Sequence, residues 1–254
     1  MKFPSTPSFR LDNKRALITG AGKGIGLGAA IALSEAGSEV VMISRTKQDL
    51  RKIKAYLCLK GNKAHYKILD INRTSEVENF IKNEKTFDIL VNNAGTNIPS
   101  SLIDTKKKDF DYLISLNIKS VVTLTRFVVK KMLDNNTRGS IINVSSQMGH
   151  VGAANRTTYC TTKFAIEGFT KSLSIELAPY GIRVNSICPT FIKTPMTDSF
   201  LQDKKFKKEV LSKIPLKRLG RIEDVMGSFV FLASESSSLI TGISLLVDGG
   251  WTAQ

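Results

Sequence analysis

Cysteine and histidine are scarce in this 254-residue sequence: there are three of the former (Cys58, Cys160, Cys188) and two of the latter (His65, His150). An odd, widely spaced set of cysteines makes neither a disulfide framework nor a metal knuckle, and two histidines argue against a His/Cys site, so no metal is expected. Long apolar runs are missing as well. With no stretch of about 18 apolar residues, neither a transmembrane helix nor a membrane partner is expected. Met1–Asn13 carries Pro4 and Pro7 but no apolar core of a secretion signal, so a cytoplasmic location is expected. Repeats, low-complexity tracts and Pro/Ser-rich linkers are also lacking, and residues 1–254 read as one domain.

Acidic charge is the last deficit. Asp and Glu number 22 against 37 Lys and Arg, a formal charge of +15. Such a balance fits nucleic acid, an anionic small molecule or a Lys-rich solvated surface. The basic residues are spread over most helical stretches, with no interleaved aromatics and no groove-reading motif, which argues against a nucleic-acid partner. At 42% hydrophobic and 23% charged, the chain can bury a core.

Short β-branched runs alternate with longer helical ones. Strands are expected at Arg15–Thr19, Val40–Ser44, His65–Leu69, Asp88–Val91, Ser140–Val144, Arg183–Ile187 and Ile243–Val247. Helices are expected at Ala29–Ala36, from Arg45 to about Lys60, near Ser75–Asn83, over Lys106–Leu133 and over Thr157–Leu177. Alternation of this kind means βαβ units: an α/β fold with a parallel sheet and helices on both faces. Thr190–Asp224 has no clear strand, is Lys-rich, and reads as a mobile lid.

Between the first strand and the first helix lies Thr19-Gly20-Ala21-Gly22-Lys23-Gly24-Ile25-Gly26. Glycines there allow positive φ and close backbone approach, and a helix N-terminus offers free N–H groups to a phosphate. The spacing Gly-x-x-x-Gly-x-Gly (Gly20, Gly24, Gly26) differs from the commoner dinucleotide pattern Gly-x-Gly-x-x-Gly. At the end of the second strand, where an acid would hold a ribose 2′-hydroxyl, stand Ser44 and Arg45. With Lys23 in the loop, two cations and a hydroxyl suit a 2′-phosphate, so NADP(H) is expected over NAD(H).

Tyr159 and Lys163, four apart on an expected helix, share one face. A tyrosine titrating near pH 10 relays protons at neutral pH only if shifted, and a neighbouring ammonium favours the phenolate. Ser145, at the end of its strand, is placed to hydrogen-bond a carbonyl oxygen becoming an alkoxide. Tyr-x-x-x-Lys alone is commonly a surface pair; the glycine loop, Ser145 and the turn Asn92-Asn93-Ala94-Gly95 make chance a poor explanation.

With these elements the sequence resembles the short-chain dehydrogenase/reductase family across essentially its whole length. Asp70-Ile71, Asn117, Pro189 to Thr194 and Val247-Asp248-Gly249-Gly250 add to the likeness. The resemblance implies a Rossmann-type doubly wound sheet of seven parallel strands in the order 3-2-1-4-5-6-7, usually in a homotetramer formed through the long helices and the last strand. It implies Tyr159 as general acid or base, Lys163 lowering its pKa and binding the nicotinamide ribose, Ser145 polarising the carbonyl, and Asn117 anchoring a relay water. For the cofactor it implies Gly20, Lys23, Gly24, Ile25, Gly26, Ser44, Arg45, Asp70 and Ile71 at the adenosine and phosphate end. Asn92, Ala94, Gly95, Pro189, Ile192 and Thr194 would lie toward the nicotinamide. Thr190 stands where the family usually has glycine, which puts a side chain at the nicotinamide entrance.

The substrate is expected among Ser145, Gln147, Met148, His150, Val151, Asn155, Arg156 and Tyr159, with Thr96–Ile98, Phe191 and the lid nearby. Arg156, His150 and the lid lysines favour a polar or anionic small molecule. Two readings remain. One is a 3-oxoacyl thioester on an acidic acyl carrier protein, with Lys130 and Lys131 as docking patch, although Ile175 stands where such enzymes commonly carry another basic residue. The other is a polyol, sugar or sugar acid such as gluconate, which Cys188–Thr197 resembles. A non-catalytic nucleotide-binding protein is a remote alternative, since this chain keeps both Tyr159 and Lys163.

Overall fold

The computed structural model describes residues 3–253, the side chain of Ser199 excepted. Seven strands form one parallel sheet: β1 Arg15–Thr19, β2 Glu39–Ser44, β3 Ala64–Ile68, β4 Ile89–Asn92, β5 Ser140–Val144, β6 Arg183–Pro189 and β7 Ser244–Val247. Their order is β3-β2-β1-β4-β5-β6-β7, with every pairing parallel. The central strands are buried on both faces, which is why they read as continuous apolar runs rather than alternating ones.

Helices α1 (Gly24–Glu35), α2 (Lys47–Leu59) and α9 (Ile222–Ala233) cover one face. Leu33, Leu50, Leu57, Phe229 and Leu232 pack there on Ala16, Ile18, Val40 and Ile142. On the other face lie α3 (Thr74–Asn83), α4 (Lys107–Ile114), α5 (Ser120–Asp134) and α6 (Thr157–Leu177). Val77, Phe80, Leu124, Val128, Met132 and Leu177 meet Leu17, Leu90 and Ile141.

The helix expected over Lys106–Leu133 is continuous but not uniform, because a π-helical turn at Ser115–Lys119 joins α4 to α5. By length and composition alone Lys107–Asp134 is apolar enough to cross a membrane. Its apolar face packs against the sheet instead, which accounts for the hydropathy. The segment expected as a mobile strandless cover folds into α7 (Pro195–Leu201) and α8 (Lys204–Ser212) before α9 begins. Val210, Ile214 and Leu219 build a small core of their own with Phe191, Phe206 and Trp251. Neither the amphipathic, Lys-rich α8 nor the mostly apolar, lysine-free α9 was among the expected helices.

Candidate active site

In a sheet of this order the chain leaves β1 on opposite sides through its neighbours β2 and β4, and a crevice opens at the carboxyl ends of the strands there. A cleft of about 460 Å³ lies at that point. Gly20, Lys23, Gly24, Ile25, Ser44, Arg45, Asp70, Ile71, Ala94, Gly95, Ser145, Tyr159, Lys163, Pro189, Ile192 and Thr194, all expected at the site, line it.

One end is built for an anion. Lys23 at the N-cap of α1 makes no side-chain cap, and the first turn carries no acid, so its N–H groups are open to a phosphate. Gly20 and Gly24 take positive φ (63° and 56°). Gly26 serves packing: a Cβ there would lie 2.3 Å from Asn93 Nδ2 and 2.4 Å from the Gly20 carbonyl oxygen. Asn93, rather than the expected Asn92, ties this loop to β4. Its Nδ2 donates to the carbonyls of Thr19 (2.9 Å) and Gly20 (3.2 Å), and the Asn93 and Ala94 N–H groups donate to Thr19 Oγ1. Asn92 is turned away from the cleft, donating through Nδ2 to Thr125 Oγ1 and Asn143 Oδ1. Consecutive residues of a strand face opposite ways, and the motif alone did not say which asparagine faces the loop.

Farther along the cleft, Ser44, Arg45 and Thr46 stand beside Lys23. Asp49, which the sequence reading passed over, also lines this end, its Oδ2 3.5 Å from Lys23 Nζ. Arg45 Nη1 lies 3.9 Å from Asp70 Oδ2 and donates to the Tyr112 hydroxyl at 3.4 Å.

At the opposite end, α6 carries Tyr159 and Lys163. Lys163 Nζ donates to the Val144 carbonyl at 2.9 Å and lies 5.6 Å from the centre of the Tyr159 ring. Burial pushes the Lys163 ammonium down to about 8, with Cys188 and Glu167 nearby opposing the shift. Burial likewise pushes the Tyr159 phenol up to about 12, against a hydrogen bond with Ser146 that lowers it. Tyr159 as a residue is only part-buried; its hydroxyl end is the enclosed portion. Ser145 Oγ is buried and, although it lies near the Cys188 thiol, has no partner at hydrogen-bonding geometry. Thr190 Oγ1, in the loop lining the same end, is also buried and unpartnered. A buried hydroxyl left unpaired costs about 1–3 kcal/mol, so these two groups are ready to receive a polar ligand.

Other expected residues stand apart from the cleft. Asn117, in the π turn, has its side chain committed: Nδ2 donates to the Thr96 carbonyl (2.9 Å) and Thr162 Oγ1 (3.1 Å), and Oδ1 accepts from Thr96 N–H. Gln147 is buried with its Oε1 accepting from Ser146 Oγ. Asn155 is exposed at φ 58° and offers its carbonyl to Ser100 and Arg156. Arg156 is buried and has no carboxylate partner among the described residues: its guanidinium donates to the Asn155 carbonyl and lies over Phe200 (5.3 Å) and Phe206 (6.0 Å) of the lid. Burial lowers its pKa, and Tyr159 and Cys160 nearby oppose that shift.

A phenol, an ammonium and a free hydroxyl converge at one end of a cleft whose other end cradles anions, and this pairing defines the short-chain type of nicotinamide-dependent oxidoreductase. The chain belongs to the short-chain dehydrogenase/reductase family: residues 20–252 match the family described as enoyl-(acyl carrier protein) reductase. It is 36% identical over 243 residues to L-xylulose reductase of Mus musculus, covering 96% of this chain and 98% of that protein. It is 39% identical over 242 residues to 3-oxoacyl-[acyl-carrier-protein] reductase of Rickettsia felis, covering 94% and 97%. A gluconate 5-dehydrogenase from Burkholderia cenocepacia, solved with NADP and tartrate, superposes with a TM-score of 0.93 at 31% identity over 97% of this chain and 98% of that one.

Proposed function

We propose that this oxidoreductase prefers NADP(H) and interconverts a carbonyl and a secondary alcohol on a small hydroxylated anion of the sugar-acid type. The observation that carries the reaction is the unpartnered Ser145 hydroxyl beside Tyr159 and Lys163. When bound, NADP(H) supplies or accepts the hydride. Lys23, Gly24 and Ile25 at the start of α1 would hold its phosphates, Arg45 and Ser44 the 2′-phosphate, and Lys163 the nicotinamide ribose.

Ser145 Oγ donates to the carbonyl oxygen as it gains negative charge. Tyr159, protonated at neutral pH because burial holds it near 12, gives that oxygen its proton in reduction; in oxidation it first releases its own proton to solvent and then, as phenolate, takes the alcohol's. Asn117 holds Thr96 and the start of the following loop in place; since its side chain is used up, a relay water there would rest on main-chain groups.

Arg156 carries the choice of an anionic substrate. Arg156 does not line the cofactor cleft, but its buried guanidinium lies near Tyr159 and has, among the described residues, a carbonyl and two aromatic rings and no acid as partners, so a substrate carboxylate entering beneath the lid rings would compensate it. A second reading, a 3-oxoacyl thioester on a carrier protein, draws on the 39% identity to the Rickettsia reductase. Against it, Lys130 is paired with Asp134, and Lys131 Nζ spends its donors on the carbonyls of Ile81, Lys82 and Glu84. Exposed Phe110, Val122 and Phe164 on the long helices and Leu246 on edge strand β7 support a homotetramer.

The deciding experiment assays sugar acids, neutral polyols, sugars and β-keto thioesters with each of the four nicotinamide cofactors. Highest kcat/KM on a sugar acid with NADP(H) is expected. A neutral polyol or a carrier-bound thioester turning over faster would reject the anionic reading.

A further inference from the structure

Behind Ser145, on the side away from the cofactor loop, three elements bring together the ligating atoms of three residues that are far apart in sequence. His150 follows the 3₁₀ turn Gln147–Gly149, Glu167 lies on α6, and Cys188 lies near the end of β6. His150 Nε2 is 3.4 Å from Cys188 Sγ and 3.6 Å from Glu167 Oε2, and Cys188 Sγ is 3.4 Å from Glu167 Oε1.

The His–Cys and His–Glu edges match a tetrahedral cation, and with a single Glu167 oxygen taken as ligand the three atoms lie within 4.8 Å of one another. Zinc binds imidazole nitrogen at about 2.0–2.1 Å, thiolate at about 2.3 Å and carboxylate at about 2.0–2.2 Å, which separates ligand atoms by roughly 3.3–3.7 Å.

The charge points the same way. Glu167 is buried, and among the described residues no Lys or Arg lies within ion-pair distance of it; Lys163 is near enough to feel its charge but donates to the Val144 carbonyl, and His150 Nε2 lies 3.6 Å away. Its oxygens take hydrogen bonds from Ser186 Oγ (2.9 Å), Ser244 Oγ and the Cys188 thiol. A buried carboxylate without a matching positive charge is costly, and a divalent ion with one thiolate and one carboxylate is neutral overall.

We propose that His150, Glu167 and Cys188 form a site for a thiophilic divalent cation of the zinc class, separate from the cofactor cleft and independent of the substrate reading above. Scarce histidine and cysteine concealed it in the sequence; the fold supplies the proximity that spacing does not. Binding forms a metal–sulfur bond and releases the thiol proton to solvent. Three protein ligands leave one position for water. His150 is the part-exposed member and marks the way in.

The test uses the full chain with Co²⁺ as probe. One equivalent should give the near-ultraviolet thiolate-to-cobalt absorption and the visible bands of a tetrahedral ion, and Zn²⁺ should displace it. Cys58→Ser should keep these bands and Cys188→Ser should lose them. Because Cys188 is buried, His150→Gln provides the variant less exposed to misfolding; its cobalt affinity should fall by at least about 10-fold with the thermal transition retained. No charge-transfer absorption at saturating Co²⁺, absorption that persists in Cys188→Ser, or unchanged affinity in folded His150→Gln would each overturn the site.

Discussion

Asn93 Nδ2 sits at the point where a Cβ on Gly26 would have to go. That contact joins the turn after β4 to the first turn of α1, so the phosphate-facing end of the cleft and its central wall are one packed unit. A methyl group at residue 26 cannot be absorbed by a rotamer change, because the Gly20 carbonyl blocks it too. Gly26→Ala is therefore expected to lower stability by about 1–3 kcal/mol and to weaken NADPH binding, as read by urea unfolding and fluorescence titration.

Tyr159→Phe removes the proton while preserving the ring. Turnover should fall by at least about 100-fold, with NADPH affinity changed less than about threefold. Residual activity of more than a few per cent would place the proton donor elsewhere.

The buried lysine sets a pH dependence of stability. Its folded pKa, about 8, is below the unfolded value of 10.5, so the unfolded chain holds more protons between those limits. Stability should rise with pH across that window and be unaffected by this group below it. Between pH 7.5 and 9 the rise should be on the order of 1 kcal/mol in the cofactor-free protein and absent in Lys163→Met. Above pH 9 the Cys188 thiol, pushed up to about 12 by burial and by Glu167, acts in the opposite direction. Urea midpoints at pH 7.5, 8.25 and 9 follow the lysine's rise, and further midpoints at pH 9.5 and 10 follow the thiol's opposing fall.

Arg156→Met keeps an apolar stem against Phe200 and Phe206 but deletes the charge. KM for a sugar acid should rise by at least about 10-fold and that for a neutral polyol by less than about threefold. The thermal transition should not fall, since an unpaired buried charge is removed with it. Equal effects on both substrates would place the guanidinium outside the substrate pocket.

Arg45→Asp should turn cofactor choice. NADPH affinity is expected to drop about 10-fold or more while NADH affinity holds or improves. Asp49 at the same end already contributes one negative charge, held by Lys23 at 3.5 Å, so Lys23→Ala alone should also weaken NADPH. Unchanged selectivity in both variants would remove the basis for preferring the phosphorylated cofactor.

The glycine loop, Ser145, Tyr159 and Lys163 were legible because each sits at a fixed offset from a strand or within one helical turn. The sheet order came with the family resemblance rather than from periodicity. What stayed hidden depends on which way a side chain turns. Asn92 and Asn93 are adjacent and opposite in role, Gln147 points into the core, and Arg156 is buried under aromatic rings, Phe200 and Phe206, that belong to two helices far along the chain, α7 and α8. Lys130 and Lys131 looked like a basic patch, yet their charges are occupied locally.

The π-helical turn at Ser115–Lys119 imposes a constraint on chain length. A π turn accommodates one residue more than an α turn, so deleting a single residue there restores a regular helix with the flanking faces still in register, whereas deleting one from α4 or α5 rotates everything on one side by about 100° relative to the other. α4 rests on α6, while α5 rests on α3 and β4. A deletion in α4 or α5 would leave one of these seats empty, while one at the π turn would keep both seats and shift Asn117 relative to Thr96 and Thr162. In this helix, the loss of one residue should cost least stability at the π turn.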